Sequence, residues 1–432
     1  MLKLAFWGCF FIGTFTLNVS AETGPEICAS CNENLLCVPL SDSPSFTKSP
    51  APVCSVPLDN LTEGIGIHGV SERVPPFTPP WLNTTLYHLG QKFARDNIAI
   101  ISYCHYLGAV IAFSSREAGY ILANTGNSDK RINAIKNNLS HIRHLWLWYE
   151  NDLLNPNNIA AQSITRIRSI HEEASKQIGA RLQNDLGLVD KGIYDNRTVN
   201  ERLWKAIDMD LRASRIPQKY REPPIPLLTY TGEVAPFPQF AMTIAQYLFV
   251  GLTVIMPEIQ EVLKASEEEL LGWNHLWAVI GHALGMEEPF NIALQPDLDS
   301  IKHNYQEMFN TYILPNFFNL EKESKVLMEM LLSVSGETLP SGIYSFSPTI
   351  LMNLILTELM GIAAPRTMGL LTFEEQQRLG SWTRLKKALR RSKQPLMSTL
   401  NADIKRGLDE KGRFYYGQVY TSQDSISKYM FL

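Results

Sequence analysis

Beyond residue 54 the sequence holds a single cysteine, Cys104, set in an apolar stretch. A cysteine framework cannot run through the body of the chain, and Cys104 reads as a buried free thiol. Long blocks of like charge are also missing: 39 Lys and Arg against 43 Asp and Glu leave a net charge of −4. That balance excludes the basic footprint of a nucleic-acid binder and leaves a small molecule or another protein as partner. No Gly-x-Ser-x-Gly elbow, His-Glu-x-x-His helix or Glu-x-x-His pair occurs. The commonest hydrolase, zinc and di-iron templates are thereby removed. No internal repeat is visible.

What is present begins with residues 1–21. A lone Lys3 precedes an apolar run from Leu4 to Leu17, and Val19-Ser20-Ala21 supplies the small residues that signal peptidase cuts after. This is the pattern of a secretory signal peptide, and the run is shorter than the roughly 20 residues that span a bilayer. A secreted, extracellular chain with no transmembrane segment after cleavage is expected. Cys9 leaves with the signal, and Cys28, Cys31, Cys37 and Cys54 crowd the start of what remains. In an oxidising compartment they read as two disulfides with the pairing open. A zinc site is the rival, since Cys28-x-x-Cys31 has ligand spacing, but no second C-x-x-C answers it. Residues 22–80 are rich in turn dipeptides such as Pro75-Pro76 and Pro79-Pro80 and show no sustained period. They are expected to form an irregular, disulfide-pinned leader.

From Trp81 on, apolar residues recur at three and four, which predicts an all-α fold built as a single large helical domain. At 432 residues the chain needs neither disulfides nor metal merely to fold. Boundaries are set at 81–375 for this domain, with a basic amphipathic helix and tail over 376–432. Residues 97–113 are apolar almost throughout yet carry Asn97, Tyr103 and His105, so a core helix is expected there rather than a membrane span. Further helices are predicted over 130–151, from Asn155-Pro156 onward, over 199–211, 243–255, 325–333 and 349–362. Ser266-x-x-Glu269 and Thr372-x-x-Glu375 are capping boxes that launch two more.

Gly64-Ile65-Gly66-Ile67-His68-Gly69 matches the dinucleotide fingerprint by letter, but it lies in the leader and runs into Pro75-Pro76. The fingerprint needs a strand before it and a helix after it, so the match is dismissed. The basic stretch Arg384, Lys386, Lys387, Arg390, Arg391, Lys393 reads as a solvated helix face rather than a membrane-surface helix. His141 and His144 share one helix face and His275 and His282 another, and both pairs read as satisfied core histidines. His171 differs because Ala160, Ile164, Ile167, Ala174 and Ile178 place it in the middle of an apolar stripe, with Arg168 one turn earlier. An imidazole for iron, apolar walls for a porphyrin and a cation for a propionate are what a b-type haem pocket uses. A buried structural histidine is the alternative.

Several blocks, read in order, resemble a known family. They are Thr125-Gly126-Asn127-Ser128, a helix ending in Leu145-Trp146-Leu147-Trp148-Tyr149, Arg168-Ser169-Ile170-His171, and Met242-x-x-x-Gln246-x-x-Phe249-x-Gly251. The last and most specific is His275-Leu276-Trp277-x-x-x-Gly281-x-x-Leu284-Gly285-x-x-x-x-Phe290-Asn291. Together they are similar to the catalytic domain of the latex-clearing rubber oxygenases and of the membrane-bound oxygenase of mycophenolic acid biosynthesis, with the nearest likeness to animal members. The resemblance covers roughly residues 93–291. It implies an all-helical fold with a globin-like core and a b-type haem held by His171 as axial ligand. A family pattern on the preceding helix falls, by register, on Lys136 and Ser140, with charge and hydroxyl kept but identities changed. The lysine that can cap the distal side of the iron is replaced by Leu139. Either the distal side is open or its polar group comes from elsewhere, with His141 and His144 the nearest candidates.

The expected function is thus a secreted haem-dependent oxygenase or oxidoreductase that uses dioxygen on a hydrophobic, lipid- or isoprenoid-like substrate. His171 would bind iron, Arg168 and Lys136 would pair with propionates or bound oxygen, and Ser140 would donate a hydrogen bond. The alternatives are a non-catalytic haem or lipid carrier, or an extracellular-matrix component, on the same scaffold, and a metal-free structural protein with His171 hydrogen-bonded. Asn60, Asn83 and Asn196 are expected to accept glycans, whereas the sequon at Asn138 is expected to be buried and unused.

Overall fold

Helical structure starts where the chain first supplies a cap. The Asn83 side chain accepts from the Leu86 amide and opens α1, Thr84–Asp96. The computed structural model describes residues 36–37, 54–56, 58–73, 75, 77–115, 130–183, 196–222, 235–338 and 346–417. The expected signal peptide, Cys28, Cys31 and the block 125–128 lie outside them. Ahead of α1, β1 (Leu36–Cys37) pairs antiparallel with β2 (Cys54–Ser55) and sets the Cys37 backbone opposite Cys54.

After α1 come α2 (Ile98–Ala112), α3 (Arg131–Glu150), α4 (Ile159–Gln183), α5 (Glu201–Arg212) and α6 (Gln239–Ile255). The chain continues through α7 (Pro257–Leu263), α8 (Glu267–Leu284), α9 (Leu298–Met308), a π-turn (Phe309–Ile313) and α10 (Leu314–Phe317). It ends with α11 (Lys322–Ser333), α12 (Ser335–Thr338), α13 (Pro348–Leu354) with a second π-turn (Ile355–Leu359), α14 (Pro365–Met368), α15 (Phe373–Arg391) and α16 (Lys393–Tyr416). Both capping boxes form as their spacing predicts, at the starts of α8 and α15. The protein is an all-α, single helical domain.

Two helices organise the core. α2 is buried along nearly its whole length, so its apolar run is spent on protein packing. Among the described residues no single helix is long and apolar enough to cross a membrane. α8 is also buried nearly all round and lies against α1, α4, α6 and α9. Where α1 crosses it, a Cβ on Gly90 would sit 2.1 Å from the Gly272 carbonyl oxygen, and one on Gly272 2.9 Å from the Gly90 amide. The two backbones touch directly, and only glycine admits that approach.

Two boundaries read from composition shift. Val56, Leu61 and Phe77 belong to the main core, and Ile67 and Gly69 bond to Gln239 and Phe237, so the later part of the leader is packed into the helical body. Trp382, Leu389, Leu400 and Leu408 place α15 and α16 in the same core rather than on an appended tail. The solvated basic face is corrected accordingly. The Lys386 side chain is 5 % exposed and pairs with Glu258 and Glu358 at 3.0 and 2.5 Å, while Arg390 meets Glu258 and Glu261. Lys393 donates to the Leu263 carbonyl at the C-terminus of α7. Half of the basic stretch answers the acidic side and dipole end of α7, which spacing along the chain could not reveal. Arg384, Lys387 and Arg391 remain exposed, as expected.

The glycine contact predicts that Gly90→Ala destabilises the protein by about 3 kcal/mol, because a backbone oxygen cannot step aside as a side chain can. Urea unfolding checks it, and a variant of unchanged midpoint would show that α1 and α8 can separate freely. Burial also holds His105 down at about 3 and His275 and His282 at about 4. Their folded pKa values lie below the unfolded one, so their stabilisation is complete above about pH 6.5 and is lost as pH falls toward 4, at about 1.4 kcal/mol per unit for each group. Stability measured against pH should drop steeply over that window. His275→Gln, which keeps an acceptor for the Asn83 amide, should lower the slope by about one proton.

Candidate functional site

The α3–α4 pair is aligned by one hydroxyl. Ser163 Oγ lies 2.6 Å from His144 Nδ1 and accepts from Trp148 Nε1 at 2.9 Å. With Trp148 donating, the serine proton is free for His144, whose pKa burial pushes down to about 3. His144 is therefore a satisfied core histidine, as its sequence setting suggests.

Two turns farther along α4 stands His171. Its ring stacks on Phe237 with centres 4.7 Å apart, and Nδ1 is buried with no hydrogen-bond partner among the described residues. Burial first, then His141 and Arg168, push its pKa down to about 4, so the imidazole is neutral, the form in which it ligates a metal. Phe237 belongs with Met242, Met286 and Leu284 to a small apolar cluster separate from the main core. His171 thus faces a soft, apolar wall.

Arg168, expected to face the same ligand, is committed elsewhere. It donates to the carbonyl oxygens of Ala283 at 3.1 Å, Ser71 at 2.5 Å and Arg73 at 2.8 Å, and its guanidinium lies over Phe77 at 5.3 Å. Arg73 in turn donates to His282 and Met286 carbonyls. Two guanidiniums therefore cap the C-terminal end of α8, where unpaired carbonyls and the helix dipole favour cations. Gly285 ends that helix at φ +109°, and a Cβ there would meet Arg168 Nη1 at 2.9 Å. On the far side of His171 the same strap, residues 64–73, is tied to α4 again. The His68 ring meets the Val70 backbone through Nδ1 and is hydrogen-bonded to Ser175 Oγ through Nε2 at 2.9 Å. His171 sits between these two attachments.

Lys136 does not join it. Lys136 lies over the Tyr416 ring at 5.7 Å, and its carbonyl accepts the Tyr416 hydroxyl at 2.6 Å, so this face of α3 turns toward α16. At 100° per residue, Ser140 lies about 40° and His141 about 60° from His144, which meets Ser163, so both stand on the side of α3 nearest α4. Leu139 is fully buried in the main core. His141 lies close enough to His171 and His144 to act on both electrostatically, and enclosing protein lowers its own pKa.

The blocks that carry the family resemblance have mainly structural roles. Gln246 Nε2 donates to the Trp277 carbonyl and to Asn291 Oδ1, Asn291 donates to the Ala278 carbonyl, and a Cβ on Gly281 would strike Gln246 Nε2 at 2.3 Å. His275 accepts from the Asn83 amide, and Trp81 sits edge-on to His275 and His282 at 5.6 and 5.8 Å. His282 Nδ1, unlike His275, is buried without a partner among the described residues. Sequence reasoning missed Phe237, which Pro236 and Pro238 hold in place, and His68, which lay inside the dismissed glycine motif. Of the glycan candidates, Asn196 is exposed and Asn83 spends its oxygen on the α1 cap, while Asn138 is buried.

Among the described residues no group of three or more His, Cys, Asp or Glu is arranged to hold a bare metal ion. The residues at His171 suit a group that brings most of its own ligands: one neutral imidazole, an orphaned ring nitrogen and an apolar wall. A b-type haem fits that description at the axial ligand, while Arg168 and Lys136 are not placed to meet its propionates.

If Arg168 is a structural clamp, Arg168→Ala should cost about 2–3 kcal/mol in protein prepared without haem, and Arg168→Lys should restore less than half, since an ammonium lacks the planar fork. Urea unfolding measures both, and a loss that appears only with haem present would return Arg168 to the ligand. No family model matches the chain, and no curated protein or solved structure matches it.

Proposed function

We propose that the chain is a secreted haem-dependent oxidoreductase of the oxygenase type, with His171 as the protein ligand to iron and a hydrophobic compound as substrate. The observation that carries this reading is the neutral imidazole of His171, set on an apolar stripe and stacked on Phe237, with Nδ1 buried and without a hydrogen-bond partner among the described residues. When bound, the haem would supply one-electron and dioxygen chemistry. The protein's own contribution is to hold the His171 ring in place through Phe237, itself packed with Met242 and Met286, and to fix its helix through Arg168 and His68. Apolar surroundings of that kind suit a lipid- or isoprenoid-like substrate better than a charged one.

A second reading, a haem or lipid carrier attached through its cysteine-rich leader, has its own support. Arg168 and Lys136, which an oxygenase of this type would turn toward the cofactor, are occupied by backbone carbonyls and by Tyr416. Haem retention and turnover separate the two. Purified protein from haem-replete cells should show a Soret band, and His171→Ala should lose it. Absence of the band in the wild-type protein would sink both readings. Presence of the band without dioxygen consumption across a panel of unsaturated lipids would leave the carrier.

A further inference from the structure

We infer that residues 359–373, together with Met209 of α5, form an apolar ledge that docks on a neutral, zwitterionic phospholipid surface. No residue of the haem reading takes part.

Between Leu359 and Phe373 the sequence holds one charged side chain, Arg366, among methionine, leucine, alanine, proline and glycine. Such a run suits a core, yet much of it lies outside. Phe373 is 73 % exposed, Met368 40 % and Met209 43 %, and Gly361, Ala363, Pro365 and Gly369 are exposed with them.

The fold builds this surface and holds it in place. α5 turns Asp210 inward and Met209 outward, the reverse of what their polarity asks. The buried Asp210 carboxylate accepts from the Arg366 and Thr367 amides at 3.2 and 2.8 Å, from the Thr367 hydroxyl at 2.9 Å and from the Arg366 guanidinium at 3.2 Å. Arg366 also donates to the Met209 carbonyl. One carboxylate thus fixes α14 against α5, brings the Met368 turn to Met209 and neutralises the segment's single cation. Two tight turns, closed on the Thr367 and Met368 carbonyls, lead from Met368 to the Thr372 cap. Phe373 follows at once, at the start of α15.

Charge and area select the occupant. Asp208 and Arg212, also on α5, pair with each other, and Glu375 is bound into the Thr372 capping box. Glu374, exposed beside Phe373, would be repelled by an anionic surface. The three large exposed side chains offer roughly 300 Å², well short of the about 800 Å² per partner that a stable dimer buries. A lipid interface needs no matching shape and holds protruding apolar side chains by burying them.

The test is flotation of the purified full chain with phosphatidylcholine vesicles. The wild-type protein should bind, and its partition coefficient should fall at least tenfold in Phe373→Asp and further when Met368→Asp is added. The melting temperature should stay as it was, because both side chains are exposed and an acid suits the first turn of α15. Phe414→Asp, which alters an exposed aromatic on α16, should bind as the wild type does. Replacing part of the lipid by phosphatidylserine should not strengthen binding. A wild-type protein that does not bind phosphatidylcholine, binding that requires phosphatidylserine, or equal losses in Phe414→Asp and Phe373→Asp would each overturn the assignment. A dimer seen by light scattering that Phe373→Asp separates overturns it in favour of a second copy of the chain.

Discussion

The Arg168 guanidinium, shared among the carbonyls of Ala283, Ser71 and Arg73, is the contact on which the geometry around His171 depends. It joins α4, the C-terminal end of α8 and the strap 64–73. Charged donors aimed at carbonyls with no helical partner are worth more than ordinary hydrogen bonds. The junction also fixes rotation. With Arg168 turned to α8, His171, one turn on, must face the space between α8 and α3, while Ser163 faces α3 squarely. The bond from His68 to Ser175 repeats the restraint one turn beyond. A single helix is thus held against rolling on both sides of the imidazole, and that rigidity is what a cofactor ligand requires.

The core that supports this junction arises from a different constraint. α8 can lie at the centre only because Gly272 lets α1 approach to backbone contact and Gly281 leaves room for Gln246. Gln246 and Asn291 satisfy their own buried amide groups on carbonyls of α8 and on each other, beside tightly packed neighbours. The blocks most specific to the resemblance are therefore explained by packing and polar satisfaction. Their presence speaks for this helix arrangement. It says little about chemistry.

Much of the architecture could be read from the chain alone. The capping boxes at Ser266 and Thr372, the buried α2 and the stripe that carries His171 are local patterns, and each formed where its spacing placed it. What could not be read was long-range. Lys386 looked solvated because Glu258 lies 128 residues away, and Lys136 looked close to His171 because counting along α3 takes no account of how the helix is turned. Arg168 was identified as a cation facing a ligand by its distance of three from His171, yet its partners come from residues 71, 73 and 283. The candidate site was thus legible at its one apolar-stripe residue and illegible at every residue whose role depends on a partner from elsewhere.

That division bears on the chemistry. Binding a haem asks for a neutral imidazole and an apolar slot, and both follow from burial of one helix face. Activating dioxygen asks further for an open coordination position and a polar group aimed at it. Of the positions that the resemblance nominates, Lys136 is turned toward α16, Leu139 is sealed in the core and Ser140 stays on the side of α3 nearest α4. Arg168 and His68 hold α4, while Ser163 ties α3 to α4 and Tyr416 ties it to α16, so neither helix is free to roll about the His171 level.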